Sequence, residues 1–362
     1  MTAAVDVAQY GTTSPGWRNR IINGAMTIDQ RNDGASVTPV ASQYFIDRFF
    51  AQLNVTSKFS TQQQTATPPI GFSSYLRVTS LSAYSVAAGD VAAIVQPIEG
   101  LNVSDLGWGT ANAATVTVSF RVRSSLTGIF GGTIQNNGQA RSYPFTYTIS
   151  AANTWEEKTV TIPGDTTGTW LTNNGIGIQI KFSMGSGSTF SGTAGAWSSS
   201  LFLQPTGSTS VISTNGATWD VTGVQLERGT VATPFDYRSI GQELALCQRY
   251  YYRIKGSDTA SNTGTYGNGV SQSATAGRSA IIFPVPMRTF PSALEQSGTA
   301  SHYRVILGSS GSTTCSAVPT YTSSSILIGD ISWTVASGAT ANQGVLFMSN
   351  SANSYLGWSA EL

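Results

Sequence analysis

The alternation of apolar and polar residues with a period of two constrains this chain more than any other feature. From Thr115 to Arg123, Val116, Val118, Phe120 and Val122 point one way and Thr117, Ser119, Arg121 and Arg123 the other, the pattern of a strand with one face buried. Ile176, Ile178, Ile180, Phe182 and Met184 repeat it, with Gln179, Lys181 and Ser183 outward. Lys158 to Ile162 gives a shorter version. Two β-prone runs between Ile129 and Ile149 flank Asn136-Asn137-Gly138, whose middle residues tolerate positive φ, and predict a hairpin. Leu76 with Val78, Val91 to Ile98, Val211 with Ile212, and Trp219 to Leu226 supply further strands. Charge use agrees with this. Only 10% of residues are charged, against about 25% in soluble domains, and four Lys with seven Glu are too few to cover long solvated helices. The expected class is all-β: a jelly-roll β-sandwich, a short connecting helix, and a second, smaller β-sandwich domain.

The domain plan follows from where the alternation stops. Residues 1–17 have no apolar period and include Gly11, Pro15 and Gly16, so they read as an N-terminal arm. The jelly roll is expected over 18–238. At 239–252, Ser239 and Gln242 form a capping-box signature, and Ile240, Leu244, Cys247 and Tyr251 fall on one helical face, which predicts a helical connector packed on a β domain. Over 253–362, Ala280 to Val285, Tyr303 to Leu307, Ser325 to Ile328, Ile331 to Val335 and Val345 to Met348 read as strands separated by Gly- and Ser-rich turns. The absence of a repeat of roughly 20 to 50 residues argues against a β-helix or propeller.

Several function classes fit poorly. The formal net charge is +1 and no basic run occurs, so duplex nucleic acid, which needs a concentrated basic face, is not an expected partner. No stretch nears the ~20 apolar residues needed to span a bilayer, and Met1 to Gln9 lacks a basic start followed by an apolar run, so neither membrane insertion nor a secretion leader is expected. Cys247 and Cys315 are too few for a disulfide framework and are expected as thiols. His302 is the single histidine, which excludes a His-based triad beside a separate metal site. Two carboxylates would suffice for a glycosidase, and Asp105, Glu156, Glu157 and Asp165 are the loop or strand-edge candidates. Sugar binding would instead use aromatic faces beside amide, Asp and Arg side chains. Trp108, within Leu106-Gly107-Trp108-Gly109, and Trp170 and Trp197 border loops and are the candidate glycan-binding residues, whereas Trp155 and Trp219 read as strand-end core.

Two groups of motifs bracket the first domain. Its start, Asn19-Arg20-Ile21-Ile22-Asn23-Gly24-Ala25-Met26-Thr27-Ile28-Asp29-Gln30-Arg31 followed by Asp47-Arg48-Phe49-Phe50, resembles the opening of the carbohydrate-binding-like jelly rolls of phage tail-fibre and head-fibre proteins. Its end, Val221 to Gly229, then Ala232-Thr233-Pro234-Phe235 and Glu243 to Tyr251, is similar to the stretch that closes that module. The resemblance implies a galactose-binding-like jelly roll on a virion surface, often trimeric, without a catalytic cofactor. Such jelly rolls often hold a structural calcium. Here Ala25 and Met26 follow Asn23-Gly24 where an acidic ligand commonly stands, leaving Asp220 and Glu227 as the candidate carboxylates. The reading is a phage structural protein, made in the host cytoplasm and displayed on the virion, that adheres to host-surface polysaccharide without being an enzyme. Its expected partners are two further copies of itself and other tail or capsid proteins reached through residues 1–17. An architectural subunit without ligand and a polysaccharide depolymerase are the alternatives.

Overall fold

The computed structural model describes residues 18–258, 263–308 and 311–362; the arm expected over 1–17 lies outside the described residues. The chain divides into two compact units between Arg238 and Ser239. It is all-β apart from one α-helix and short 3-10 turns among the described residues.

In the first unit the strands are β1 (Tyr44–Ile46), β2 (Phe49–Leu53), β3 (Phe59–Gln64), β4 (Tyr75–Ser80), β5 (Ala92–Glu99), β6 (Val116–Ser124), β7 (Gly128–Gln135), β8 (Ser142–Ile149), β9 (Glu156–Ile162), β10 (Ile176–Ser183), β11 (Ser191–Gly192), β12 (Gln204–Pro205) and β13 (Thr218–Arg228). They build a six-stranded sheet in the order β1-β2-β5-β10-β7-β8 and a five-stranded sheet in the order β3-β4-β13-β6-β9, with β11 and β12 as a small parallel pair. Alternation decides what lies between the two large sheets. Ile178, Ile180 and Phe182 from β10, Phe130 and Ile134 from β7, and Val118, Phe120 and Val122 from β6 share one core with Trp219 and Val221 from β13. Phe120 meets Phe182 edge-on at 5.1 Å, and the buried Trp219 Nε1 donates to Tyr147 Oη at 3.0 Å, satisfying the polar atoms that so deep an aromatic core would otherwise strand. Val211 and Ile212, expected in a strand, form a 3-10 turn instead and reach the core from there.

The bracketing motifs turn out to be a clasp. Asn19 Nδ2 donates to Val224 O at 3.2 Å and its Oδ1 accepts from Ile21 N and Leu226 N. Asn23 Nδ2 donates to Ile28 O and Asp47 O, and Asp47 in turn accepts from Gln30. Arg238 donates to the carbonyls of Ile21 and Asn19. A Cβ on Gly24 would lie 2.1 Å from Val224 O, so only glycine lets the two ends approach this closely. Buried amides and backbone satisfy one another across some two hundred residues of chain, which ties the domain's beginning to its end.

The second unit opens on α1 (Ile240–Gln248), where Ser239 and Gln242 close the expected capping box. The helix is shorter than the 239–252 expected: Arg249 caps it, and Tyr251 enters β14 (Tyr251–Lys255). Its buried face is correspondingly narrow. Cys247 is buried, Leu244 half-buried and Ile240 64% exposed. Then follow β15 (Thr265–Ser271), β16 (Ala276–Ile282), β17 (Glu295–Gln296), β18 (Tyr303–Ile306), β19 (Ser312–Ser324), β20 (Ile328–Val335), β21 (Gly344–Ser349) and β22 (Tyr355–Ser359). β14, β22 and β17 form a three-stranded sheet, and the other six close into a barrel in the order β15-β16-β20-β19-β18-β21. The closure refines the expected second sandwich. β19 is 13 residues long and carries three register shifts against β20, so it bends enough to pair with β18 on its other edge. Ser325 to Leu327, expected as a strand start, is the turn that leads into β20. Cys247 and Cys315 are buried thiols; burial pushes Cys315 up to about 12.

Candidate functional site

The three candidate tryptophans meet in one place. Trp108 and Trp170 stand edge-on at 4.7 Å, and Trp197 lies 5.4 Å from Trp108 and 5.5 Å from Trp170. Each indole N–H is already used: Trp108 donates to Ala114 O, Trp170 to Thr167 O and Trp197 to Pro163 O. Trp108 is 7% exposed and presents no open face. Trp170 and Trp197 are half-buried and packed against the core. The cluster therefore braces the loops that carry it.

One of those loops holds the β7–β8 turn. Asp165, 2% exposed, takes both forks of the Arg141 guanidinium at 2.6 and 2.9 Å. Burial raises its pKa, but the bonds from Arg141 and Thr167 outweigh that and hold it below the ordinary carboxylate range. Gly168 has φ of 78°, and a Cβ there would lie 2.5 Å from Arg141 Cγ, so glycine leaves room for the arginine to cross. Asn136 Nδ2 reaches Thr169 O at 3.0 Å while its Oδ1 accepts from Ala140 N and Arg141 N. Turn 136–141 is thus fixed from both sides.

What the turn holds is Gln139, poised over the outer face of the six-stranded sheet. Gln139 Oε1 accepts from Gln52 Nε2 on β2 at 3.4 Å. β5 and β10 lie between β2 and β7 in the sheet, so this contact spans two strands. Beneath it runs Lys181 of β10, outward as the alternation predicts, yet fully buried. Its Nζ donates to Gln52 Oε1 at 2.7 Å, and Gln52 is its one side-chain partner among the described residues. Desolvation pushes the Lys181 ammonium down to about 7. Gln179, on the same face, is 5% exposed, and Gln135 opposite it donates to Phe202 O while its buried Oε1 has no partner. At the sheet edge Tyr44 and Phe50 are half-buried with ring centroids 5.2 Å apart, and the Arg31 guanidinium lies 5.3 Å over Tyr44. No sequence signal marked Lys181 or Gln52, because alternation gives the side of a residue and says nothing of what later covers it.

The remaining candidates are otherwise engaged. Asp220, 1% exposed, accepts from Arg77 and Arg123, each at 2.8 Å. Glu227 accepts from Gln225 and from Thr233 N and Oγ1. Seven residues apart on β13, the two stand roughly 20 Å from each other, so no single cation meets both, contrary to the expected calcium pairing. Among the described residues no group of three His, Cys, Asp or Glu is placed to hold a metal ion. The four possible acid-base carboxylates are scattered into separate ion pairs, Asp105 with Arg20, Glu156 with Lys158, Glu157 with Arg121, and Asp165 with Arg141. His302 Nδ1 bonds Ser297 Oγ at 2.9 Å.

No family model matches the chain, and no curated protein matches its sequence. Solved structures are similar over part of the chain. The enzymatically active domain of tailspike protein 4 from bacteriophage CBA120 is similar over 58% of this chain and 21% of its own, at 12% identity and a TM-score of 0.32. A family 11 carbohydrate-binding module from Clostridium thermocellum, complexed with a mixed-linked tetrasaccharide, matches 54% of this chain and 96% of its own at 13% identity and a TM-score of 0.28. A xylan-binding domain from Paenibacillus barcinonensis matches 56% of this chain and 99% of its own, at 10% identity and a TM-score of 0.25. The match spans about a fifth of the tailspike domain, and no site residue is carried over from any of the three.

Proposed function

We propose that the first unit binds glycan chains across the outer face of its six-stranded sheet, and that the protein does so as a non-enzymatic surface component of a phage particle. One observation carries the binding reading: an aromatic edge, Tyr44 with Phe50, stands beside the amides of Gln52, Gln139 and Gln179 on one face. Aromatic rings stack on the apolar faces of sugars, and an amide both donates to and accepts from hydroxyls. The tryptophan cluster contributes by holding turn 136–141 in place. Separately paired carboxylates favour adhesion over cleavage, since glycoside hydrolysis needs two acting on one bond. The virion role rests on the resemblance of residues 19–31, 47–50, 221–229, 232–235 and 243–251 to phage fibre proteins, and trimeric assembly and attachment through residues 1–17 belong to the same reading.

The test is a panel of polysaccharides in affinity electrophoresis with the full chain. Retardation that Phe50→Ala weakens about tenfold supports the face; a mutant that binds as the parent does moves the site elsewhere. Size analysis of the incubated polymers checks the non-enzymatic part, where any fragmentation puts a depolymerase first.

A further inference from the structure

We infer that Lys181 and Gln52 form the docking point for a sugar carboxylate, so that the ligand of this face is an acidic glycan bearing uronic-acid-type residues. The inference rests on the proposed glycan-binding face and narrows its ligand class. A lysine ammonium has three donors, and Lys181 spends one of them on the neutral oxygen of Gln52, at 2.7 Å. Its neighbours across the sheet are Val95 on β5 and Thr133 on β7, and Gln179 and Ser183 flank it on its own strand. None is anionic.

The charged groups elsewhere on the surrounding elements do not supply the missing charge. Glu99 lies four residues beyond Val95 at the end of β5, and makes no ion pair with Lys181. Arg48, between β1 and β2, donates to Pro97 O at 2.7 Å, and Arg141 of the β7–β8 turn is bound to Asp165. Neither arginine brings an anion to Lys181. A buried cation without a counter-ion is costly, and a methionine would fill the same space without that cost. The missing anion comes from outside. Gln52 and Gln139 are both half-buried, so they form the cover and can turn aside. A carboxylate oxygen then takes the position of Gln52 Oε1 on Lys181 Nζ, and its second oxygen accepts from a Gln52 N–H; a bond to a neutral acceptor gives way to an ion pair. One row along the face, the partnerless Gln135 Oε1 is an acceptor for a sugar hydroxyl.

The experiment titrates the full chain with polygalacturonate, alginate and hyaluronan, with each polymer after chemical reduction of its carboxyls, and with neutral and sulfated polymers. Binding of an acidic polymer that falls about tenfold or more on carboxyl reduction, and equally with Lys181→Met, supports the inference. Lys181→Gln serves as the second variant, with thermal unfolding as the check on folding, and the reduced polymers test the point with no mutation at all. Equal binding of reduced or neutral polymers, equal binding of sulfated ones, or an acidic polymer held unchanged by both variants overturns it while leaving glycan binding in place. Binding of no polymer overturns both readings.

Discussion

The two large sheets of the first unit each bury a charge on their outer faces, and they treat it in opposite ways. On the five-stranded sheet Asp220 sits between Arg77 and Arg123, which stack in turn on Tyr75 at 5.6 and 5.2 Å, with Trp155 4.7 Å from Arg123. Charge, hydrogen bonds and cation–π contacts all close on one carboxylate. On the six-stranded sheet Lys181 is buried as deeply and has one neutral amide. The first arrangement stabilises the sheet; the second taxes it. The proposed docking of an acidic glycan at Lys181 accounts for this contrast: the charge that the fold leaves uncompensated is the one a ligand would pair.

The largest expected effect is on Lys181. Its folded pKa of about 7 lies below the ordinary lysine value of about 10.4, so between these pH values the unfolded chain holds more protons than the native one. Stability therefore rises with pH across that window, by up to ~1.4 kcal/mol per unit. Below about 7 both states are protonated and the native state carries the whole penalty, on the order of 5 kcal/mol. Lys181→Met should lift stability by up to that amount in urea titrations of the full chain at pH 6 and by less than about 1 kcal/mol at pH 10. A parent whose stability does not change between pH 7 and 10 would show that the ammonium is compensated after all. Next comes Asp220→Ala, which leaves two converging guanidiniums unpaired. Arg77 is 31% exposed and Arg123 13%, so the loss should sit at the low end of the buried-pair range, about 3 kcal/mol. A loss near zero would erase the contrast between the faces.

These residues also show where sequence reasoning reaches and where it stops. Period-two patterns in β6 and β10 placed Asp220's sheet and the outward side of Lys181 correctly, because a strand with one buried face must alternate. The pattern holds no information on Gln139, whose turn crosses two strands, since that contact joins positions 87 residues apart. The tryptophans were legible as unusual loop residues, but their meeting depends on three loops converging, and so binding faces and bracing cores look alike in sequence. In the second unit β15 and β19 are not legible in the sequence because Gly and Ser dilute their alternation and register shifts in β19 break it, and without them the barrel has no closing strands.

A middle-sized effect tests the brace between the sheets' edge loops and the open face. Trp170→Ala removes two edge-on aromatic contacts, each worth about 1 kcal/mol beyond burial, so the loss should be about 2 kcal/mol before the lost burial of the half-buried ring is added. The amides of turn 136–141 should then exchange hydrogen faster than in the parent, and glycan binding should weaken although Trp170 touches no ligand. Unchanged exchange in that turn, with lost binding, would restore Trp170 as a contact residue.

The smallest effect is the sharpest probe, because it makes one face into a copy of the other. Gln52→Glu places an anion where the neutral amide oxygen now lies 2.7 Å from Lys181 Nζ, as Asp220 lies against its arginines. At this half-buried position the new ion pair should add about 1 kcal/mol, present while the introduced carboxylate is ionised and the lysine protonated, and lost as pH falls through the carboxylate range. The pair also raises the lysine pKa, so the pH dependence of stability between 7 and 10 should flatten. Binding of acidic glycan should fall about tenfold, since the built-in carboxylate occupies the docking point and repels the incoming one, while Gln52→Ala, which removes only a hydrogen-bonding group, should cost about fivefold. Greater stability joined to weaker acidic-glycan binding is the outcome that an unsatisfied ligand site requires. A lysine kept for structure alone would gain the stability and leave binding untouched.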